Sequence, residues 1–358
     1  MSEWRFSMAD RQALWVSTST RTRGGIATYV RAVQDTPFWG EWSVQHVSTH
    51  RDGSKAVKLA AFLGGAALFM VQLIRLRPNV VHLHSSADAS FIRKATLFWM
   101  SRVTGVPVVL HIHGSSFHEY FAGSPPLVQA VIRSTLLNAS AVVALGETWA
   151  ERLRSIAPGA RVVLVPNAVH VADEPRQPEP GQSVGVVFLG RIGDRKGTFR
   201  LLDAWARLGG RSATLTIAGD GEVDRARRRI DELGLEDSVE LFGWLPQSEV
   251  GELLDRADVL VLPSLNEGQP MAVLEAMARG LCVIAGDSGG LPEMVGGGCG
   301  VLVSAGDVDA IEKALDEVIE DAELRDRYGA AAYARARERY DVDVVSRQLD
   351  ALYREVAR

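Results

Sequence analysis

The sequence predicts an α/β protein built from two doubly wound parallel-sheet domains. Three observations carry this. The chain has 358 residues, more than one core of ordinary size accommodates. Short β-branched runs alternate with helical stretches along its length, the pattern of parallel strands joined by crossover helices. Residues 170–183, HVADEPRQPEPGQS, break that alternation with proline and charge, as a linker does. Domains of 1–169 and 184–340 follow, with an amphipathic stretch at 341–358 left as a terminal helix.

In the first half the strands are predicted at ALWVST, WSVQHVST, NVVHLH, VPVVLHIHG, ASAVVALG and RVVLVPN. The second half supplies SVGVVFLG, ATLTIAGDG, VELFGW, DVLVLPS, LCVIAGD and CGVLVS. Each run is short, rich in Val, Ile and Leu, and bounded by glycine, proline or polar residues. Between the second and third strands lies LAAFLGGAALFMVQLI, Leu59 to Ile74, flanked by Lys58, Arg75 and Arg77. Its 16 residues fall short of the roughly 20 that a spanning helix needs. A buried helix of the first domain is expected, with a helix lying on a membrane surface as the alternative.

Composition narrows the class. Hydrophobic content of 47% with 23% charged residues is that of a globular protein. Two cysteines, Cys282 and Cys299, make no disulfide framework and fit a reducing compartment. The N-terminal segment lacks the basic-then-apolar layout of a signal peptide, so a cytoplasmic protein is expected. The net charge of -5 divides unevenly. Residues 1–170 hold 17 Lys and Arg against 9 Asp and Glu, a net of +8, and the remainder hold 22 against 35, a net of -13. A basic first half favours an anionic partner there, such as an anionic membrane surface.

Ligands of doubly wound sheets bind at the carboxyl ends of strands, so the loops after strands hold the candidate residues. After DVLVLPS comes LNEGQ, then Pro270, a residue suited to the start of a helix. Free N–H groups there favour an anion. Glu275 lies one turn inside this helix, which is expected to run to about Arg279 and stop at Gly280. Side chains lean toward a helix N-terminus, so Glu275 reaches a ligand at that end. Glu267 precedes the helix and faces the same ligand, with Gly268 and Met271 alongside. An anion with hydroxyl groups beside it describes a sugar nucleotide. In GRIGDRKG, Arg191 offers a planar fork and Lys196 a point charge to stabilise a leaving diphosphate. The string lacks the Gly-Lys-Ser/Thr of a P-loop. In TRGGIATYV, Gly24 and Gly25 let backbone approach phosphate, and no dinucleotide fingerprint accompanies them.

Glu267 and Glu275 within PSLNEGQPMAVLEAMARG, followed by SGGLPE, resemble the retaining glycosyltransferases of family 4. GGIATYV, HIHG, VPNAV, GRIGDRKG and AGDGE extend the resemblance over nearly the whole chain. It implies the GT-B fold, two Rossmann-like domains facing a cleft, with the terminal helix crossing back to the first domain. It implies a hexosyltransferase that moves a hexose from a UDP- or GDP-sugar to a glycan acceptor, lipid-linked, in surface polysaccharide synthesis. Glu267 would contact the donor sugar, Glu275 the ribose, Arg191 and Lys196 the diphosphate, and His113 the region of the sugar. Gly219 of AGDGE would line the nucleotide, and FGWLPQ around Trp244 the base. The family shows Asn-Gly where this chain has Asn167 and Ala168, which leaves Asn167 without an assigned role.

His82, His84, His111 and His113 raise a zinc reading. No cysteine or carboxylate cluster accompanies them, and the resemblance implies a metal-independent enzyme, so no metal and no cofactor is assigned. The acids around Asp307–Asp309 and Asp341–Asp343 are expected at helix starts. Two other functions fit the same residues: a sugar-nucleotide epimerase of this fold, and a degenerate protein that binds a sugar nucleotide without turnover.

Overall fold

The computed structural model of the chain describes residues 11–176, 183–209 and 212–357. They form two compact units, one ending at Ala168 and regaining the chain at Val342, the other running from Val169 to Asp341.

The first unit runs β1 (Ala13–Ser17), α1 (Gly25–Gln34), α2 (Pro37–Glu41), β2 (Gln45–Ser48), α3 (Lys55–Leu76), β3 (Val80–Ser85) and α4 (Ala89–Val103). It continues through β4 (Val108–Ile112), α5 (Phe117–Gly123), α6 (Pro126–Asn138), β5 (Ala141–Ala144), α7 (Glu147–Ile156) and β6 (Val162–Leu164). All its pairings are parallel, in the order β2-β1-β3-β4-β5-β6. Consecutive residues of a strand face opposite sides, so the sheet supports two cores. Leu14, Val16, Val81, Leu83 and Leu110 pack toward one face with Phe69, Leu73, Phe91 and Phe98. Ala13, Trp15, Val80 and Val109 pack toward the other with Tyr29, Val30, Val33 and Trp42.

The second unit runs β7 (Val184–Leu189), α8 (Thr198–Leu208), β8 (Ala213–Ala218), α9 (Val223–Leu233), β9 (Val239–Phe242), α10 (Gln247–Arg256), β10 (Val259–Leu262) and α11 (Met271–Met277). Then come β11 (Cys282–Gly286), α12 (Leu291–Val295), β12 (Val301–Val303), α13 (Val308–Glu320) and α14 (Ala322–Arg335). Its parallel sheet has the order β12-β11-β10-β7-β8-β9. The last helix, α15 (Val342–Val356), belongs to the first unit, where Val345, Leu349 and Tyr353 join the core beside Phe38 and Trp42. Asp350 accepts a hydrogen bond from the Trp42 indole at 2.9 Å. Asp307 caps α13 through the N–H groups of Asp309 and Ala310, and Asp341 directly precedes α15.

Every predicted strand forms. Two expectations need correction. The first is the fate of α3: it is 22 residues long and largely exposed, not buried. Gly65, Phe69 and Leu73 face the sheet, while Leu59, Leu63, Leu68, Val71 and Ile74 stand open to solvent. Its apolar composition is continuous around the helix, so composition alone misassigned its environment. With that length and composition it is the one described helix able to cross a membrane. The second is the linker at 170–183. Residues 177–182 lie outside the described residues, but the stretch before them is held to the second unit. The Tyr333 hydroxyl donates to the carbonyls of Ala172 and Asp173, and Arg176 pairs with Asp258 at 2.6 Å.

Candidate active site

The strand order of each sheet reverses once. In the second unit this occurs between β7 and β10, whose following loops diverge and leave a crevice at the strand ends. The loop after β7 is GRIGDRKG and the loop after β10 is PSLNEGQ, so the two charged motifs come from one topological switch point. They are also laced together. The Leu265 N–H donates to the Arg195 carbonyl at 2.9 Å, and the Ser264 hydroxyl oxygen lies 3.1 Å from the same carbonyl. Arg195 Nη1 in turn donates to the Asn266 carbonyl at 2.9 Å. Gly197 closes the first loop with φ of 80°, in the left-handed region, and a Cβ there would collide with the Pro263 carbonyl. On its other side this loop pairs with AGDGE: the Ile192 N–H donates to the Asp220 carbonyl at 2.6 Å, and the Glu222 N–H to the Ile192 carbonyl at 3.0 Å.

Glu267 is buried, and its Oε1 gathers two close donors and a more distant cation. Lys196 Nζ lies at 2.5 Å, the Ser264 hydroxyl at 2.6 Å and Arg195 Nη1 at 3.6 Å. Oε2 has no hydrogen bond among the described residues, so the carboxylate is anchored by one oxygen and available by the other. The Gly290 N–H of SGGLPE donates to the Glu267 backbone carbonyl at 2.9 Å, which fixes the main chain as well. Arg191 is exposed and has no partner among the described residues, leaving its fork open to an anion.

Pro270 is the residue before α11, extended at ψ 127°, rather than its first helical residue. The helix ends at Met277 instead of Arg279, and a turn to Gly280 follows with φ of 77°. The N–H groups of Met271 and Ala272 have no partner among the described residues, as expected of a first turn. Glu275 is buried and accepts a hydrogen bond from Gln247 Nε2 at 2.9 Å. Both carboxylates are therefore held in the protein, which excludes a pair of solvated surface acids. Gly268 and Met271 are buried beside them. Gly219 sits at the end of β8, its N–H donating to the Gly243 carbonyl at 3.1 Å. Trp244 is exposed.

Gly24, Gly25 and His113 belong to the first unit. Gly24 precedes α1 with φ of 118°, a conformation that favours glycine, and Gly25 begins the helix. His113 follows β4. Its Nδ1 lies 3.2 Å from Asn167 Oδ1 and its Nε2 lies 3.0 Å from His84 Nδ1. Burial pushes its pKa down to about 3, opposed by the Asn167 hydrogen bond. Both ring nitrogens are thus engaged and the ring is neutral, which makes His113 a positioned group rather than an available acid or base. His82, His84 and His111 share the sheet face that carries Trp15, and their nitrogens converge.

Sequence reasoning missed Ser264, Arg195 and Gln247, and left Asn167 without a role. Ser264 ends the strand run and lies three residues before Glu267, a spacing that becomes informative only once the loop closes. Gln247 is 28 residues from Glu275, and no local signal joins them.

Two doubly wound units, with charged loops gathered at a switch point, are the architecture of the GT-B glycosyltransferases. Solved structures share it. Sucrose-phosphate synthase from Thermosynechococcus elongatus superposes with a TM-score of 0.82 at 19% identity, covering 97% of this chain and 99% of the other. Anabaena HepE, solved in complex with UDP and glucose, gives 0.74 at 19% identity, covering 96% and 100%. Residues 172–335 match the glycosyl transferases group 1, and residues 19–168 match the glycosyl transferase 4-like domain. The chain belongs to this glycosyltransferase family. The 2-deoxystreptamine N-acetyl-D-glucosaminyltransferase of Streptomyces fradiae is 31% identical over 242 residues, 63% of this chain and 58% of that protein. The amylovoran biosynthesis glycosyltransferase AmsK of Erwinia amylovora is 34% identical over 144 residues, 37% of this chain and 35% of that protein.

Proposed function

We propose that the protein is a retaining hexosyltransferase that uses a UDP- or GDP-sugar donor and a glycan acceptor, lipid-linked, in surface polysaccharide synthesis. The observation that carries this reading is the switch-point constellation of the second unit. Glu267 keeps one free carboxylate oxygen for a sugar hydroxyl, Lys196 stands at 2.5 Å from the other, and the Arg191 fork is unpartnered among the described residues. The HepE complex with UDP and glucose and the amylovoran relative support the donor and pathway classes.

In this reading the second unit holds the donor. Glu275, fixed by Gln247, accepts from the ribose hydroxyls. As the bond between the anomeric carbon and the diphosphate oxygen breaks, Arg191 and Lys196 stabilise the growing charge, so this step calls on no metal. The acceptor hydroxyl forms its bond on the face the diphosphate leaves, and its proton passes to the departing phosphate oxygen. No side chain serves as a base. Gly24, Gly25 and His113 take part in donor binding by family resemblance, with His113 as a positioning residue. The exposed apolar face of α3, bracketed by Lys55, Lys58, Arg75 and Arg77, supports peripheral contact with the inner face of the plasma membrane.

A thermal-shift screen of UDP-, GDP- and ADP-sugars identifies the donor, because ligand stabilises the folded state by mass action. Donor turnover is then measured with and without glycan acceptor. Turnover that depends on acceptor is expected. Rearrangement of the donor without acceptor identifies an epimerase, and binding without turnover a degenerate protein.

A further inference from the structure

The first unit contains a group of buried polar atoms that the proposed transfer does not use. His82 and His84 lie on one face of β3, and His111 lies opposite His84 on β4. All three rings are buried. One nitrogen from each lies within 4.8 Å of the others. His82 Nε2, His84 Nε2 and both nitrogens of His111 have no hydrogen-bond partner among the described residues. A buried polar atom left unpaired costs about 1–3 kcal/mol; each neutral imidazole keeps one lone pair, so the three lone pairs these rings can offer, with one N–H left on His111, mark a site for something that binds nitrogen lone pairs.

The tautomers follow from the hydrogen bonds. Asn167 Oδ1 is an acceptor, so His113 Nδ1 carries the proton and its Nε2 accepts. His84 Nδ1 must then donate to His113 Nε2, which leaves the lone pair on His84 Nε2, the unpartnered atom. His82 Nδ1 is engaged by the Tyr353 hydroxyl at 2.5 Å and its Nε2 is unpartnered among the described residues, so the lone pair falls on Nε2 when the hydroxyl accepts from Nδ1–H. A histidine whose far nitrogen is held by a second group is the usual form of a metal ligand, because that bond fixes both tautomer and ring orientation.

We propose that His82, His84 and His111 form a buried site for a borderline divalent metal ion, zinc above all. Two histidines two residues apart on one strand and a third on its neighbour give a three-imidazole donor set, which suits zinc, copper and nickel more than magnesium or calcium. Three atoms no more than 4.8 Å apart share a point within about 2.8 Å of each, and zinc–nitrogen bonds of about 2.0–2.1 Å need each ring to move by less than about 1 Å. The rings of His82 and His84 now stack at 4.3 Å with planes 15° apart, so their in-plane lone pairs run side by side, and turns about the soft terminal torsions are needed to bring both onto one ion. Tyr29, whose buried hydroxyl has no partner among the described residues, rests against His84 and His111 at ring separations of 5.7 and 5.4 Å. The ion would tie β3 to β4 and, through Tyr353, to α15, and would hold His84 and hence His113 in one tautomer. The sequence reading assigned no metal because no cysteine or carboxylate cluster accompanies the histidines and the resemblance implies a metal-independent enzyme; three imidazoles on adjacent strands form a donor set without either.

The test uses the full chain without a histidine tag, stripped with a chelator and titrated with zinc chloride alone. Elemental analysis after gel filtration is expected to find about one zinc per chain, with a raised Tm. Cobalt(II) in its place should give the visible absorption of a four-coordinate site. His84→Gln and His111→Gln should abolish uptake, and His118→Ala, at a half-buried histidine outside the cluster, should leave it intact. Tyr353→Phe keeps the donor set and removes a supporting hydrogen bond, so zinc affinity should fall by about 10-fold or more. If the two glutamine variants fail to fold, the cobalt spectrum of the wild-type chain and the Tyr353→Phe affinity decide. Stripped wild-type protein that takes up no zinc overturns the site, as does uptake lost in His118→Ala instead; the cluster is then filled by water. No donor or acceptor enters these measurements, so the result stands apart from the proposed transfer.

Discussion

Lys196 and Arg191 differ in their surroundings, although both were assigned to the same diphosphate. Lys196 is committed to Glu267 at 2.5 Å, inside the protein, whereas Arg191 is exposed and unpartnered among the described residues. Removing one member of a buried pair leaves the other charge uncompensated, so Lys196→Ala should destabilise the fold by about 3 kcal/mol. Arg191→Ala should change stability by no more than about 0.5 kcal/mol, while lowering turnover by a factor of about 100 or more. Paired denaturation and kinetic measurements on the two variants check this; equal stability losses would show that the Lys196–Glu267 contact carries no weight. Glu275→Ala should weaken binding of the free nucleoside diphosphate by roughly 1.5–3 kcal/mol, with calorimetry as the readout. Glu267→Gln should reduce transfer more than nucleotide affinity.

Lys94 in α4 is a residue-scale feature that no sequence pattern announced. Its ammonium is buried and meets the Thr49 hydroxyl at 2.7 Å, with no ion pair among the described residues. Burial, with repulsion from Arg93 adding to it, lowers its pKa from 10.5 to about 7. Between those values the unfolded chain binds more protons than the folded one. The cost of burying Lys94 therefore grows as pH falls from about 10.5 and is complete below about 7. Lys94→Met should stabilise the protein near pH 7 by on the order of 3 kcal/mol, after allowing for the lost hydrogen bond. The gain should shrink toward pH 10. A Tm difference independent of pH would show that the amine is solvated.

At the scale of elements, the strands were legible because each carries its own signal, a short β-branched run closed by a turn residue. β7 and β10 also place their loops by sequence alone, since a parallel sheet puts every following loop at the same edge. What the sequence lacked was the distance between elements. Ser264 and Arg195 act through contacts made only after β7 and β10 become neighbours, Gln247 through one between α10 and α11, and α3 looked like a core helix because its apolar residues carry no label for solvent. The tight closure of the loop after β7 leads to a prediction at this scale. Gly197→Ala combines a left-handed backbone with a collision against the Pro263 carbonyl. It should cost about 1–3 kcal/mol of stability, and it should also reduce transfer, because Lys196 is the preceding residue. A variant of unchanged Tm and full activity would show that the loop is held elsewhere.

At the scale of the whole molecule, charge and apolar exposure coincide in the first unit. Residues 1–170 carry a net charge of +8, and α3 presents Leu59, Leu63, Leu68, Val71 and Ile74 to solvent, with Lys55 and Lys58 in its first turn and Arg75 in its last. The exposed face lies opposite Phe69 and Leu73, so the helix can lie on a bilayer without leaving the sheet. Basic residues near anionic lipid contribute about 1 kcal/mol each and weaken as salt shortens the screening length. Apolar contact, at roughly 25 cal/mol per Å² removed from water, does not weaken with salt. The protein should therefore sediment with anionic liposomes at low salt and bind neutral ones less. In about 0.5 M salt, where screening falls to a few ångströms, only part of it should be released. Reversing Lys55, Lys58, Arg75 and Arg77 to Glu should remove the salt-sensitive part. Replacing Leu63 and Ile74 with Ser should remove the remainder, with nucleotide binding intact in both variants. Complete release by salt would assign the contact to charge alone. If the wild-type protein ignores anionic liposomes even at low salt, α3 does not face a membrane and a soluble acceptor becomes the better assignment.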